Sequence, residues 1–207
     1  MKTVLFIDDR PDSRNTYSED LVDIFGPSVE IISIAPSGTL PEMLSVIISQ
    51  NQLVSLVLDQ RLYESGDTDY TGLNLAALVR ASLSKLPIYI LTNWTDKLDN
   101  TYHVEYVFEK EKITDDDYKM EATARVRRHI DVFEDIIDER EDRFAELLPK
   151  YLGTQLSDNE LAEFLKLKAE RIKPYSHEFN EDEELRAKLD EQASLLEGIL
   201  KELEGDL

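Results

Sequence analysis

Thr3-Val4-Leu5-Phe6-Ile7-Asp8-Asp9 is the stretch on which the fold turns. A short apolar run of β-forming residues stops abruptly at two carboxylates. A secretory leader would carry a longer apolar core and a small-residue cleavage site, so the run reads as a strand whose far end is charged. An uninterrupted apolar run is what a parallel strand covered on both faces displays. Two later stretches repeat the pattern, Val54–Leu58 before Asp59 and Ile88–Leu91 before Thr92. Val29–Ile34 alternates more and suits a position nearer the sheet edge, and Val104–Phe108 supplies a fifth strand.

Helical segments separate these runs. Pro11 to about Phe25 opens with Pro and Asp in its first turn and stops at Gly26-Pro27. Others run from about Leu40 to Ser49 and from about Gly72 to Ser84, whereas Thr95 to about Asn100 has room for only a turn or two. Five strands alternating with helices imply a doubly wound parallel α/β sheet, whose ligands sit beyond the carboxyl ends of the strands.

That edge is where the chemistry collects. Asp8 and Asp9 end the first strand, Asp59 the third and Thr92 the fourth, and Lys110 follows the fifth. Three clustered carboxylates repel one another unless a hard cation joins them, and Mg²⁺ prefers carboxylate oxygens and water. A lysine and a hydroxyl on the same rim suit the oxygens of a phosphoryl group. Taken singly, each residue has a plainer reading. Asp8-Asp9 is equally a solvated strand end and helix cap, Asp59 a turn opener, Thr92 a cap and Lys110 a surface charge. The joint pattern favours a site.

Phe6-Ile7-Asp8-Asp9-Arg10-Pro11, Leu56-Val57-Leu58-Asp59, Ile90-Leu91-Thr92-Asn93 and Phe108-Glu109-Lys110 together resemble the signature of response-regulator receiver domains. The resemblance covers about residues 1–125 and implies a five-stranded flavodoxin-like fold. It implies that Asp59 accepts a phosphoryl group from a histidine kinase or phosphotransfer protein. Asp8, Asp9, Asp59 and the backbone carbonyl of Arg61 would bind Mg²⁺, and Thr92 and Lys110 would contact the phosphoryl oxygens. Such a domain is not an enzyme beyond accepting and losing its own phosphoryl group. The chain departs from the pattern in several places. Gln60-Arg61-Leu62 replaces the Met-Pro turn, and the 63–70 loop is long and carries Glu64, Asp67 and Asp69, read as pointing into water. Glu111 stands where proline usually follows the lysine, and Trp94, the only tryptophan, lies beside Thr92 where it shields the site or merely packs. The switch aromatic is either Tyr106 or Phe108. The short segment after strand four leaves little of a fourth helix, through which many receivers dimerise.

From Asp115 a helical pattern runs to about Leu148, with Pro149 and Gly153 ending it, so the receiver's last helix extends as a stalk. Val126, Ile130, Phe133, Ile137, Phe144, Leu147 and Tyr151 form a heptad-like seam interrupted by Arg140, which suits homodimerisation. The capping box Ser157-x-x-Glu160 announces a second helix and Asn180-x-x-Glu183 a third. Residues 126–207 are therefore expected to be an all-α extension, a three-helix bundle or coiled-coil-like. His129 and His177 are read as solvated histidines rather than phosphotransfer residues, and His103 as a strand-entry residue.

Net charge is −21, with 9 basic and 17 acidic residues up to Thr114 and 14 and 27 after it. Neither part is a basic footprint for nucleic acid, and no basic recognition helix occurs. There is no cysteine and no apolar run of membrane-spanning length, so a cytoplasmic location with protein partners is expected. The expected output is an unknown downstream protein bound through the helical tail. A phosphate sink or a phosphorylation-independent scaffold are the alternatives. A Mg²⁺-dependent phosphohydrolase is less well supported, because Arg10 stands where the second aspartate of an Asp-x-Asp pair belongs.

Overall fold

The computed structural model describes residues 1–95, 98 and 101–176. The strands are β1 (Lys2–Ile7), β2 (Val29–Ile34), β3 (Leu53–Asp59), β4 (Ile88–Thr92) and β5 (Tyr106–Glu109). They form one parallel sheet in the order β2-β1-β3-β4-β5. The mostly apolar strands β1, β3 (broken only by the buried Ser55) and β4 are the three central ones and the alternating β2 is an edge, as their patterns require. Helices α1 (Pro11–Phe25), α2 (Leu40–Ile48), α3 (Gly72–Ser82), α4 (Asp116–Leu152) and α5 (Asp158–Ser176) complete the order, with a 3-10 turn at Thr101–His103 between β4 and β5. This is the α/β, flavodoxin-like architecture expected from the sequence, followed by helices.

Each sheet face has its own core. One contains Val4, Phe6, Val57, Tyr89 and Phe108 beneath Leu21 and Ile24 of α1 and Val126 of α4. The other contains Leu5, Ile7, Leu56, Leu58 and Ile90 beneath Met43 and Ile47 of α2 and Leu75 and Val79 of α3. Successive residues of a strand point to opposite faces, so an unbroken apolar run feeds both cores at once. Each fully buried side chain of this size contributes about 1.5–3 kcal/mol against exposure.

Helix starts follow local chemistry. Thr39 with Glu42 and Thr71 with Asn74 close capping boxes at α2 and α3, and Pro11 opens α1. Strand β5 begins two residues later than expected. Val104 instead donates to Thr101 O, and Glu105 donates to Ile88 O at 2.8 Å to start the pairing. Arg80 organises this corner, bonding His103 O, Leu86 O and the Glu105 carboxylate.

Contacts divide the chain into units 1–149 and 150–207. In the first, α4 carries Ala122, Val126 and Ile130 into the core, and Phe133 packs against the opposite cluster. His129, expected to be solvated, is half-buried. Its Nδ1 lies 3.0 Å from the Tyr89 hydroxyl, with the rings stacked at 6.0 Å, and burial lowers its affinity for a proton. The helix runs past Leu148 and through Pro149, four residues beyond the expected stop. It ends at Leu152, where Gln155 N donates to Lys150 O and Thr154 adopts φ 53°. In the second unit, the expected capping box at Ser157 forms, with Ser157 Oγ donating to Glu160 at 2.8 Å. Tyr151 and Phe164 stack at 4.5 Å. Helix α5 continues through Pro174 to Ser176. His177 and the third helix expected from Asn180 lie outside the described residues.

Candidate functional site: an acidic pocket at the strand ends

Register brings the polar strand ends together. Ile7 pairs with Leu58, so Asp8 emerges level with Asp59; Asp59 pairs with Leu91, and Thr92 pairs with Glu109, the residue before Lys110. Asp8 and Thr92 are buried, and Asp9 and Asp59 are each only 7% exposed. All five residues named from the sequence thus lie on one rim.

Lys110 sits among them. Its ammonium donates to Asp8 Oδ2 at 2.8 Å and to Asp59 Oδ1 at 2.6 Å, and its backbone N–H donates to Thr92 O at 3.1 Å. The other oxygens are tied by backbone donors. Arg10 N–H reaches Asp8 Oδ1 at 2.9 Å, and Arg61 N–H reaches Asp59 Oδ2 at 2.6 Å. Ser65 N–H reaches Asp9 Oδ2 at 2.6 Å. Arg14 Nη1 donates to the carbonyl of Asp8 at 2.6 Å, fixing the end of β1 against α1. The Thr92 hydroxyl accepts from Trp94 N–H at 3.1 Å.

The electrostatics follow from one cation facing three buried carboxylates. Burial pushes the Asp59 carboxyl above the usual range; Lys110 opposes the rise and Asp8 adds to it. Burial also works against the Lys110 ammonium, but the combined pull of Asp59 and Asp8 outweighs it and holds the lysine charged. The pocket is short of positive charge, the condition in which a hard divalent cation is welcome.

The donor set has the right chemistry for Mg²⁺, which binds through one or two carboxylates and keeps several waters. Asp8, Asp9 and Asp59 would hold it. The Arg61 carbonyl, the fourth expected ligand, accepts a long 3.4 Å bond from Glu64 N. Among the described residues no group of three or more such side chains forms a ready metal cage. In this structure the contact between Asp8 and Asp59 is made by Lys110 instead.

The sequence did not announce the part played by the 60–71 loop. Glu64, Asp67 and Asp69 are exposed, as expected, but Glu64 pairs with Arg61 Nη1 at 2.5 Å. The loop is also anchored from within. Tyr70 is buried with its hydroxyl donating to Ser37 O at 3.2 Å, and Thr68 Oγ1 donates to Leu62 O at 2.6 Å. The signal available was compositional: a loop carrying Leu62 and Tyr70 has apolar groups to bury. Of the two aromatic candidates on β5, Phe108 is buried and stacks on Tyr89 at 5.2 Å. Tyr106 is half-buried beneath the Arg125 guanidinium at 4.2 Å. No cis peptide occurs among the described residues, and after Lys110 the chain turns through Lys112 N–H donating to Glu109 O.

No protein-family model and no curated protein matches this chain. Among solved structures, the RcsB response regulator of Salmonella typhimurium, described in connection with DNA interaction, is similar over 85% of this chain and 90% of its own. Identity is 15% and the TM-score 0.43. A likeness of that size carries no weight for individual residues or for activity; the fold assignment rests on the strand order and the two packed faces described above.

Proposed function

We propose that the chain is a receiver-type signalling protein in which Asp59 accepts a phosphoryl group, with Mg²⁺, from a partner histidine kinase or phosphotransfer protein. The observation that carries this reading is the Lys110 ammonium placed between Asp8 and Asp59, with Thr92 on the adjoining strand end. Mg²⁺, when bound, would supply the positive charge that a transferring phosphoryl group requires. Lys110 would hold a phosphoryl oxygen from the opposite side, and the Thr92 hydroxyl would donate to another. Arg61 N–H keeps Asp59 Oδ2 oriented, and Oδ1, which accepts from Lys110 at 2.6 Å, would be the nucleophile.

Mass spectrometry of the intact chain after incubation with Mg²⁺ and acetyl phosphate tests this. A single phosphoryl adduct is expected in the wild type and none in Asp59→Asn. Wild type without an adduct leaves the phosphorylation-independent scaffold.

Output through protein contacts, including a homodimer, is the companion proposal. Helix α4 has 37 residues, a length of about 55 Å at 1.5 Å per residue. Val132 and Ile137 on it are 52% and 38% exposed. Light scattering on the full chain and on a chain ending at residue 136 checks this, retaining the packed Phe133. A dimer that reverts to a monomer on shortening is expected; equal protomer numbers count against α4 as the dimer element. The acidic balance favours protein over nucleic acid as partner. No helix among the described residues is long and apolar enough to cross a membrane.

A further inference from the structure

A groove lies at the opposite end of the sheet from the acidic rim. The turn between α3 and β4, the start of β5 and the middle of α4 line it. Pro87 and Glu105 immediately precede β4 and β5, whereas Thr92 and Lys110 end or follow them. The groove has a volume of about 480 Å³, within the roughly 300–1,000 Å³ of sites that hold small organic molecules.

Its lining divides by chemistry. Pro87, Tyr102, Phe133 and Ile136 supply apolar surface, and Lys85 and Arg128 are two exposed cations. Arg80 also lines the groove but is spent on the carbonyls of His103, Ser84 and Leu86 and on the Glu105 carboxylate. Glu105 accepts in addition from Ile88 N–H at 2.6 Å, so the carboxylate lining the groove is already engaged. Lys85 and Arg128 have no hydrogen-bond or ion-pair partner among the described residues. Acidic residues outnumber basic ones 44 to 23 in this chain, and Lys2, Lys119, Arg125 and Arg143 each meet a carboxylate. Two unpaired cations on one groove are therefore left to a ligand.

Cations beside an apolar wall select an anionic head on an apolar body. The net charge of −21 repels anions at long range, the more strongly the more charge they carry, which favours one carboxylate over a polyphosphate. The lining also holds no glycine and no α-helix start, the features that cradle phosphates. We propose that this groove binds a small organic acid, its carboxylate held by Lys85 and Arg128 and its apolar body against Pro87, Phe133 and Ile136. The assignment does not rest on the phosphoryl-acceptor reading.

His129 gives the groove its own reporter. The imidazole lines it, with Nδ1 3.0 Å from the Tyr89 hydroxyl. Burial lowers its affinity for a proton; Glu105 opposes this, and Arg128 and Arg125 add to it. Lys85 and the Glu105-bound Arg80 are the other charged groups lining the groove. A carboxylate bound beside the ring favours the imidazolium, so occupancy raises the pH at which His129 titrates.

The test adds naphthoate, or its uncharged counterpart naphthylmethanol, to the full chain and follows backbone amide and histidine ring NMR signals. Saturable shifts with naphthoate are expected at the groove residues of 84–88 and 128–136, with His129 titrating at higher pH in the complex. The alcohol should bind at least about fivefold more weakly. Lys85→Gln and Arg128→Gln should each weaken naphthoate roughly two- to fivefold, the span of an exposed ion pair, and leave the alcohol unchanged. Both side chains are exposed, so folding is retained, and the unshifted remainder of each spectrum checks it. Equal affinities for acid and alcohol, or charge variants that bind like wild type, overturn the assignment. Shifts confined to the acidic rim overturn it too, as does the absence of saturable shifts, whether the groove is then vacant or filled by a second copy of the chain.

Discussion

Lys110→Met is expected to destabilise the metal-free protein by about 3–5 kcal/mol at neutral pH, the loss typical of breaking a buried ion pair from one side. The side chains concerned are deeply placed, with Lys110 and Asp59 each 10% exposed and Asp8 fully buried. Methionine keeps much of the lysine's bulk, so the loss comes from charge rather than a cavity. Two carboxylates would then face each other without a counter-ion. Urea unfolding in the presence of a chelator measures the loss, and a midpoint within error of wild type would refute it. The double variant Asp59→Asn/Lys110→Met should recover a large part, because it removes one of the two stranded charges and retains the shape.

The same variant has a pH signature of definite sign. Burial raises the Asp59 carboxyl above its usual range in the folded protein, and Lys110 restrains that rise. An acid whose folded pKa exceeds its unfolded one gives its full stability below the unfolded value, near 3.9, and loses it as pH climbs through the folded value. Removing Lys110 lifts the restraint and widens that window upward. The deficit of Lys110→Met should therefore be smallest in acid and grow toward neutrality. A deficit constant with pH would instead point to lost packing.

What could be read from the sequence depended on whether the signal was local. The strand runs around Phe6, Val57 and Ile90 state their own burial, because a residue pair buried on both faces must be apolar at both. Asp8, Asp59, Thr92 and Lys110 were legible as a set because each directly ends or follows such a run. How they meet was not. Lys110 and Asp8 are 102 positions apart, and that the lysine bridges two carboxylates follows from register alone. Backbone donors were equally hidden: Ser65 holds Asp9 through its amide, which every residue type but proline possesses. The burial of His129 is not legible in its neighbours because its partner, Tyr89, lies on a strand 40 residues away. The displaced start of β5 has a similar cause, since the bond from Glu105 N–H to Ile88 O, and not the apolar character of Val104, decides where pairing begins.

Gly72→Ala should lower stability by roughly 2 kcal/mol, within the usual span for overpacking. The residue opens α3 without any unusual backbone angle, so the case is steric. A Cβ there would stand 2.2 Å from the carbonyl oxygen of Asp59, 3.1 Å from its carbonyl carbon and 3.2 Å from Ile90 Cδ1. Two of those atoms are backbone and cannot rotate away. The amide of Gly72 meanwhile donates to Gln60 O at 3.0 Å, so the helix start and strand end are fastened together and must shift as a pair. Alanine is the better helix former by about 1 kcal/mol, which offsets only part of the clash. Thermal unfolding should show a midpoint about 4–8 °C lower for a chain of this size; an unchanged or raised midpoint would mean that β3 yields freely at its end. That freedom would undermine the acceptor site as well, because the clash falls on the backbone of Asp59 itself. Gly72 is thus bound to the pocket by proximity alone: the helix must start within contact of the acceptor's carbonyl, and only a residue without a side chain permits the approach.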